Sequence, residues 1–266
     1  MLFIVGTPIG NLKDITYRAI ETLKSVDLIL AEDTRKSQVL LKAYSIQTKL
    51  TSFHRFNEKN KESFVINLLR SGKNIALISD AGMPLICDPG SRLVKECNNL
   101  EFKVTVIPGP SAITTALSLY GSDKSFQFVG FLMKNEVKQM IDIVYYNGLT
   151  VAFDTPHNIK NTLKIMHQIS PNQRIFIARE LTKVFEESLY KTPQELLDYF
   201  NLHKKKCVGE FVVIFKGNHQ IDNVEKPQFV VKLQEEFNLT KKEALAAAAK
   251  ILNVPKKKLY NLISRK

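Results

Sequence analysis

Residues 74–90 read NIALISDAGMPLICDPG, a short apolar run closed by Ser79 and followed by a loop of carboxylates, glycines and prolines. The run has the length of a strand, and its neighbours decide which kind. Before it lie LFIVG at 2–6, helical periodicity from Thr16, DLILA at 27–31 and a helix after Asp33. After it come a helix following Pro89, KVTVI at 103–107 and a helix following Pro110. Strands separated by single helices imply right-handed crossovers and a largely parallel sheet. The loop at 80–90 then stands at the carboxyl end of a strand, the edge at which open α/β sheets bind ligands.

The turn-rich stretch GSDKS at 121–125 breaks this pattern and bounds a first α/β domain at 1–120. A second α/β domain, 121–220, offers strands at 126–132, 150–153, 174–178, 186–190 and 211–215. Between Ala178 and Glu186 there is no room for a long helix, so at least one antiparallel hairpin and a mixed sheet are expected. A polar connector at 216–226 leads into a wholly helical segment, 226–266. There Thr240-Lys241-Lys242-Glu243 has the spacing of a capping box, and Pro255 stands where a first helical residue would. Phe229, Val230, Leu233 and Phe237, then Leu245, Ala248, Ala249 and Leu252, then Leu259, Leu262 and Ile263 recur at helical spacing, enough for three amphipathic helices around a small core.

The chain of 266 residues carries 38 Lys and Arg against 26 Asp and Glu, a net charge of +12 that favours a polyanionic partner such as nucleic acid. A merely basic soluble protein would fit the total equally well, so location matters. The last 41 residues hold ten basic and three acidic side chains, more than half of the excess. Lys241, Lys242, Lys256, Lys257, Lys258, Arg265 and Lys266 fall mostly at helix ends, in reach of phosphates; a solvated basic face on a dimerisation bundle is the alternative. Cys87, Cys97 and Cys207 show no C-x-x-C pairing and read as reduced packing residues, with neither a disulfide framework nor a metal site. The start lacks a basic leader and no apolar run approaches 18 residues, so a cytoplasmic location is expected.

Three loops could carry chemistry. Gly6-Thr7-Pro8-Ile9-Gly10-Asn11 follows the first strand but lacks the G-x-G-x-x-G spacing and a downstream acidic ribose partner, which disfavours a dinucleotide. In the second, Asp80 could accept hydrogen bonds from ribose hydroxyls or an amino group, and Gly82 beside Ala81 and Met83 would let backbone approach a ligand. Asp80 could equally cap the next helix. In the third, Pro108-Gly109-Pro110-Ser111-Ala112, the exposed N–H groups at a helix start could hold a carboxylate. Two such loops suit a zwitterion better than a triphosphate, and no Walker lysine pattern is present. Ala31-Glu32-Asp33-Thr34-Arg35 and Phe53-His54-Arg55-Phe56-Asn57-Glu58 add charged groups and a histidine that could meet RNA or a catalytic proton; for a lone His a plain loop role is the commoner one.

Together VGTPIGNL at 5–12, AEDTR at 31–35, SDAGMPLICDPG at 79–90, PGPSA at 108–112, ARELTK at 178–183 and Gly209-Glu210-Phe211 resemble the ribosomal RNA small subunit methyltransferase I group of the tetrapyrrole methylase superfamily, over roughly residues 2–217. The resemblance implies two α/β domains with S-adenosylmethionine in the cleft between them. It also implies a homodimer working without metal, and 2′-O-methylation of a cytidine in the decoding region of 16S small-subunit rRNA. By motif correspondence the cofactor would touch Ile9, Asp80, Ala81, Gly82, Met83, Ser111, Ala112, Phe153, Leu181, Gly209 and Glu210. The chain departs from the group's pattern in AFDTPHN at 152–158, where FYESPHR is usual, and at Met83 and Met133, where Thr and Pro are usual.

A ribose hydroxyl is a poor nucleophile until its proton leaves, so a base is useful; Glu32, Asp33 and His54 are the candidates, with Arg35 placed to position phosphate. A tetrapyrrole methylase would explain the two domains but not the basic tail. A non-catalytic RNA-binding protein would explain the tail but leave two ligand-type loops idle.

Overall fold

In the computed structural model, which describes residues 1–217, 226–252 and 254–263, Ile75–Ile78 is the middle strand of a five-stranded parallel sheet. Residues 218–225 of the expected connector, together with Arg265 and Lys266, lie outside the described residues. The chain divides into two compact units, Met1–Thr115 with Leu181–Phe185, and Ala116–Glu180 with Glu186–Lys266.

The first unit runs β1 (Leu2–Val5), α1 (Tyr17–Ser25), β2 (Leu28–Ala31), α2 (Thr34–Ala43), β3 (Leu50–Ser52), α3 (Glu58–Arg70), β4 (Ile75–Ile78), α4 (Ser91–Asn99), β5 (Val104–Ile107) and the start of α5 (Ala112–Tyr120). Strand order is β3-β2-β4-β1-β5, every pair parallel. Alternate residues of the buried strands serve two cores. Leu28, Leu30, Ile75 and Leu77 pack with Val65, Leu69, Leu93 and Cys97 of α3 and α4, whereas Ile29, Ala31, Ala76 and Ile78 pack with Ala19, Leu23 and Leu41 of α1 and α2. A right-handed crossover puts its helix on one face when the chain steps one way along the sheet and on the other when it steps back. The chain steps from β1 to β2 to β3, then returns to β4 and β5, so β1 and β4 are neighbours whose outgoing loops leave toward opposite faces. That switch point is where open α/β sheets offer a crevice.

β3 and α3 have no counterpart in the sequence reading. Cys97 packs in the core as expected, but Cys87 is exposed with φ +70°, so it is a loop residue rather than a packing one.

The second unit contains β6 (Phe126–Phe131), α6 (Val137–Tyr145), β7 (Leu149–Asp154), α7 (Ile159–Ile169), β8 (Ile175–Arg179), β9 (Glu187–Lys191), α8 (Pro193–Leu202) and β10 (Phe211–Lys216). Its sheet, ordered β6-β7-β10-β8-β9, is mixed: β6 and β7 are parallel, the other pairs antiparallel, and β8 with β9 forms the hairpin the short spacing demands. Ala152, Ile175, Ile177, Phe211, Val213 and Phe215 meet α6, α7 and α8 in one core. The alternating set on the opposite face includes Phe176, against whose ring Tyr120 of α5 sets its edge at 5.5 Å.

α9 (Lys226–Phe237), α10 (Lys241–Ile251) and α11 (Lys256–Ile263) complete this unit. Thr240 and Glu243 form the capping box of α10, and Pro255 stands one residue before α11. Phe229, Val230, Leu233, Leu245, Ala248 and Leu259 are buried together, but Leu262 is 42% exposed and does not join them. The bundle's core includes Ile141 and Tyr145 of α6, and Lys138–Glu243 (3.1 Å) and Lys250–Asp142 ion pairs flank the contact.

Candidate functional site

The carboxyl edge of the first sheet gathers most of the residues singled out from the sequence. At the switch point, Thr7 after β1 and Gly82 after β4 exchange backbone hydrogen bonds (Thr7 N to Gly82 O 2.9 Å, Gly82 N to Thr7 O 3.1 Å). The buried Thr7 hydroxyl also lies 3.3 Å from the carbonyl oxygens of Ser79 and Gly82. Gly82 has φ +76°, and a Cβ there would stand 3.2 Å from Ile9 Cγ2, so glycine serves both conformation and close approach. The third loop presses on the first: a Cβ on Gly6 would lie 2.8 Å from Gly109 Cα and 2.7 Å from Met83 Sδ. The three loops meet through their backbone, with Ile9 buried, Met83 half-buried, and Ser111 and Ala112 at the start of α5. The first N–H groups of a helix have no intrahelical acceptor and are available to an anion.

Asp80 does not cap the helix that follows it. Its Oδ1 accepts the backbone N–H of Asp33 (2.9 Å) and its Oδ2 pairs with Lys36 (2.8 Å), tying the β4 loop to the start of α2. Asp33 is the N-cap of α2, accepting from Arg35 N, and its carboxylate takes both a second bond at 3.0 Å and a 2.7 Å ion pair from the Arg35 guanidinium. The guanidinium and the helix start hold the Asp33 carboxyl far below the ordinary carboxylate range. A carboxylate so stabilised is a weak base. Glu32 is the opposite case: burial first, and the Asp80 charge next, raise its carboxyl above the usual range, while the His54 charge works the other way. Asp88, which the sequence reading did not single out, is pushed up to about 6 by burial and by the charges of Glu32 and Asp80. Nothing local marks Asp88 in the sequence. Its environment arises only when β2 and β4 pair.

His54 follows β3. Asn57 fixes it twice, accepting its backbone N–H (2.8 Å) and meeting its Nε2 with Nδ2 (3.1 Å), while His54 Nδ1 is buried with no hydrogen-bond partner among the described residues. Glu32, Asp33, Arg35, His54 and Asp80 are thus held on one sheet edge by the segments following β2, β3 and β4, Arg35 in the first turn of α2.

Leu181 also belongs to the first unit and is buried. Gly10 packs against its segment, where a Cβ would come 2.6 Å from Leu181 O and from Thr182 Oγ1, and Asn11 N donates to Thr182 Oγ1 at 3.0 Å. Phe153, Gly209 and Glu210 lie in the second unit. Phe153 near the end of β7 packs edge-on with Phe128 and Phe131 (4.9 and 5.4 Å). Gly209 has φ +89°, and a Cβ there would strike the Glu180 carboxylate, which itself accepts Glu210 N at 3.0 Å. The departures at 152–158 fit one another: Asn158 Nδ2 donates to Asp154 Oδ1 (2.9 Å) and Leu132 O (3.2 Å), and Thr162 donates to Asp154 Oδ2 (2.7 Å), a buried network that the shorter acid and the amide complete. Met133 is exposed. In the helical segment, Lys241, Lys242, Lys256, Lys257 and Lys258 are all exposed; Arg265 is outside the described residues. No helix among the described residues is long and apolar enough to cross a membrane.

A family model described as Tetrapyrrole (Corrin/Porphyrin) Methylases matches residues 1–197. A Bacillus subtilis (strain 168) protein named ribosomal RNA small subunit methyltransferase I is 40% identical over 98% of this chain and 93% of its own length. A protein of the same name from Thermotoga maritima is 44% identical over 81% of this chain and 98% of its own length. Among solved structures, uroporphyrin-III-C-methyltransferase from Thermus thermophilus matches with a TM-score of 0.60 at 16% identity, covering 81% of this chain and 94% of that one, a likeness of fold.

Proposed function

The chain belongs to the tetrapyrrole methylase family, and from that premise we propose that it transfers a methyl group from S-adenosylmethionine to a cytidine 2′-hydroxyl in the decoding region of 16S small-subunit ribosomal RNA. The observation that carries this reading is the 40% identity, over 98% of the chain, to a relative named for ribosomal RNA. A run of exposed lysines, beyond the 1–197 family match, supports a polyanion over a porphyrin.

The residues on the first sheet's edge fit such a cofactor: Ser111, Ala112 and the first N–H groups of α5 would hold its carboxylate, Asp80 its ammonium or ribose hydroxyls, and the side-chain-free backbone at Gly82 its close approach. When bound, S-adenosylmethionine supplies a methyl group on a sulfonium, a leaving group needing no further activation. The chain's task is then to align the acceptor oxygen and remove its proton. Glu32 suits proton removal better than Asp33, since its raised pKa makes it the stronger base while the Asp33 charge is spent on Arg35 and the helix start. Arg35, with its side chain largely in solvent beside Asp33, can offer its remaining N–H groups to phosphate, and His54 tempers the charge on Glu32. We infer a homodimer from the resemblance, and a cytoplasmic location because ribosomal RNA would be the substrate.

The deciding experiment supplies radiolabelled S-adenosylmethionine with isolated small ribosomal subunits or with porphyrin precursors. The reading predicts label in small-subunit RNA, at one cytidine that resists alkaline cleavage. Label in the porphyrin and none in RNA would replace it with the small-molecule reading; binding to RNA without transfer would replace it with the non-catalytic one. Light scattering at micromolar concentration tests the dimer.

A further inference from the structure

We propose that Phe56 is a stacking platform for an unpaired nucleobase of the RNA, an inference that rests on the reading that RNA is the substrate. Phe56 is 91% exposed, among the most exposed apolar side chains in the chain. A single exposed ring is ordinarily unremarkable; what distinguishes this one is how rigidly its turn is built. Three residues earlier, Phe53 is fully buried and its N–H is bonded to Ala31 O at 2.7 Å. The turn closes with Asn57 and Glu58 N–H groups both donating to His54 O at 2.9 Å, and the Asn57 amide reaches back to Ser52 Oγ at 3.3 Å. Glu58 anchors the far side by accepting Gly90 N at 3.0 Å. The backbone around Phe56 is therefore pinned on both sides while its ring stands in water.

A ring on so fixed a backbone meets a flat partner with only its own two side-chain torsions left to order. The Phe56 ring meets only the edge of His54, centroid to centroid 6.2 Å at an interplanar angle of 64°, and stays 91% exposed. The surroundings argue for a base rather than a protein. The sequence neighbours Arg55, Lys59 and Asn60 are exposed and polar or cationic, a setting suited to a single base with phosphates beside it. The turn follows β3, adjacent in the sheet to β2, and the Phe53 N–H before it bonds the carbonyl of Ala31, the residue next to Glu32. A base stacked on Phe56 would thus belong to the acceptor nucleotide or one next to it.

The chain has no tryptophan, so Phe56→Trp places a single fluorescent reporter at the position. Titrating the full-length variant with a cytidine-rich single-stranded oligonucleotide should quench its emission. Phe56→Ala and Phe56→Leu should each raise KM for small subunits roughly five- to a hundredfold, the range of one lost base stack, while Phe56→Trp stays near the parent and all three bind S-adenosylmethionine as the parent does. Leu keeps apolar bulk without a π face, so parent-like binding by Phe56→Leu would overturn the proposal. Emission unchanged by RNA would overturn it too, as would quenching by intact subunits but not by naked RNA, which would point to a ribosomal protein. Failure of the functional reading is seen separately, as absence of methyl transfer by the parent, since the fluorescence needs no turnover.

Discussion

Asp80 joins two roles that one substitution can separate. Asp80→Ala removes the acceptor for Asp33 N and the partner of Lys36 along with any ligand contact, so it should cost about 1–3 kcal/mol of stability. Asp80→Asn keeps an oxygen for Asp33 N and loses only charge. It should unfold within about 1 kcal/mol of the parent yet bind S-adenosylmethionine about tenfold more weakly in calorimetric titration; unchanged affinity would move the site elsewhere. Glu32→Gln should lower methyl transfer by about 10²- to 10⁴-fold with little change in cofactor affinity, and the parent's rate should climb with pH through a midpoint above that of an ordinary glutamate. Asp88 makes a stability prediction. Its folded pKa of about 6 exceeds the unfolded 3.8, so the folded state binds the extra proton between them and loses stability as pH rises through that window. Asp88→Asn should match the parent near pH 4 and melt higher at pH 7, by about 1 kcal/mol once partial exposure is allowed for. A gap that stays constant with pH would show that Asp88 titrates alike in the folded and unfolded chains.

Helices and strands were legible in sequence where they obey local rules and silent where they do not. β1, β2, β4 and β5 read clearly because they are continuous apolar runs between turn residues, and α10 because Thr240 and Glu243 form a local box. Thr240→Ala should therefore cost about 1 kcal/mol in chemical denaturation, with Thr240→Ser close to the parent. β3 is three half-buried residues, too short to show a period, and α3 begins without a side-chain cap because Asn57 spends its amide on His54 and Ser52. Leu262 fits the helical period of α11 yet lies in solvent, because periodicity fixes a face but not whether a partner reaches its far end. The ligand-type loops could be found at strand ends, but the Asp80 links to Asp33 and Lys36 span more than 40 residues and leave no local signal.

At the scale of the whole molecule, the helical segment shares its core with α6, so a chain ending at Glu225 would bare Ile141 and Tyr145 and confuse lost RNA binding with lost folding. Replacing Lys256, Lys257 and Lys258 with Ser touches only exposed positions. If these lysines meet phosphates, the logarithmic salt slope of binding to small subunits should flatten by up to about 3, with S-adenosylmethionine affinity intact; an unchanged slope would mark the face as merely solvated. The assignment of Leu181–Phe185 to the first unit has a consequence for synthesis. Gly10 and Asn11 wait for Leu181 and Thr182, so the first unit cannot complete its contacts when Thr115 is made. At roughly 5–20 residues per second, the missing segment arrives about 70 residues and several seconds later, and until then the nascent chain offers an unfinished edge to chaperones and proteases at the ribosome's exit.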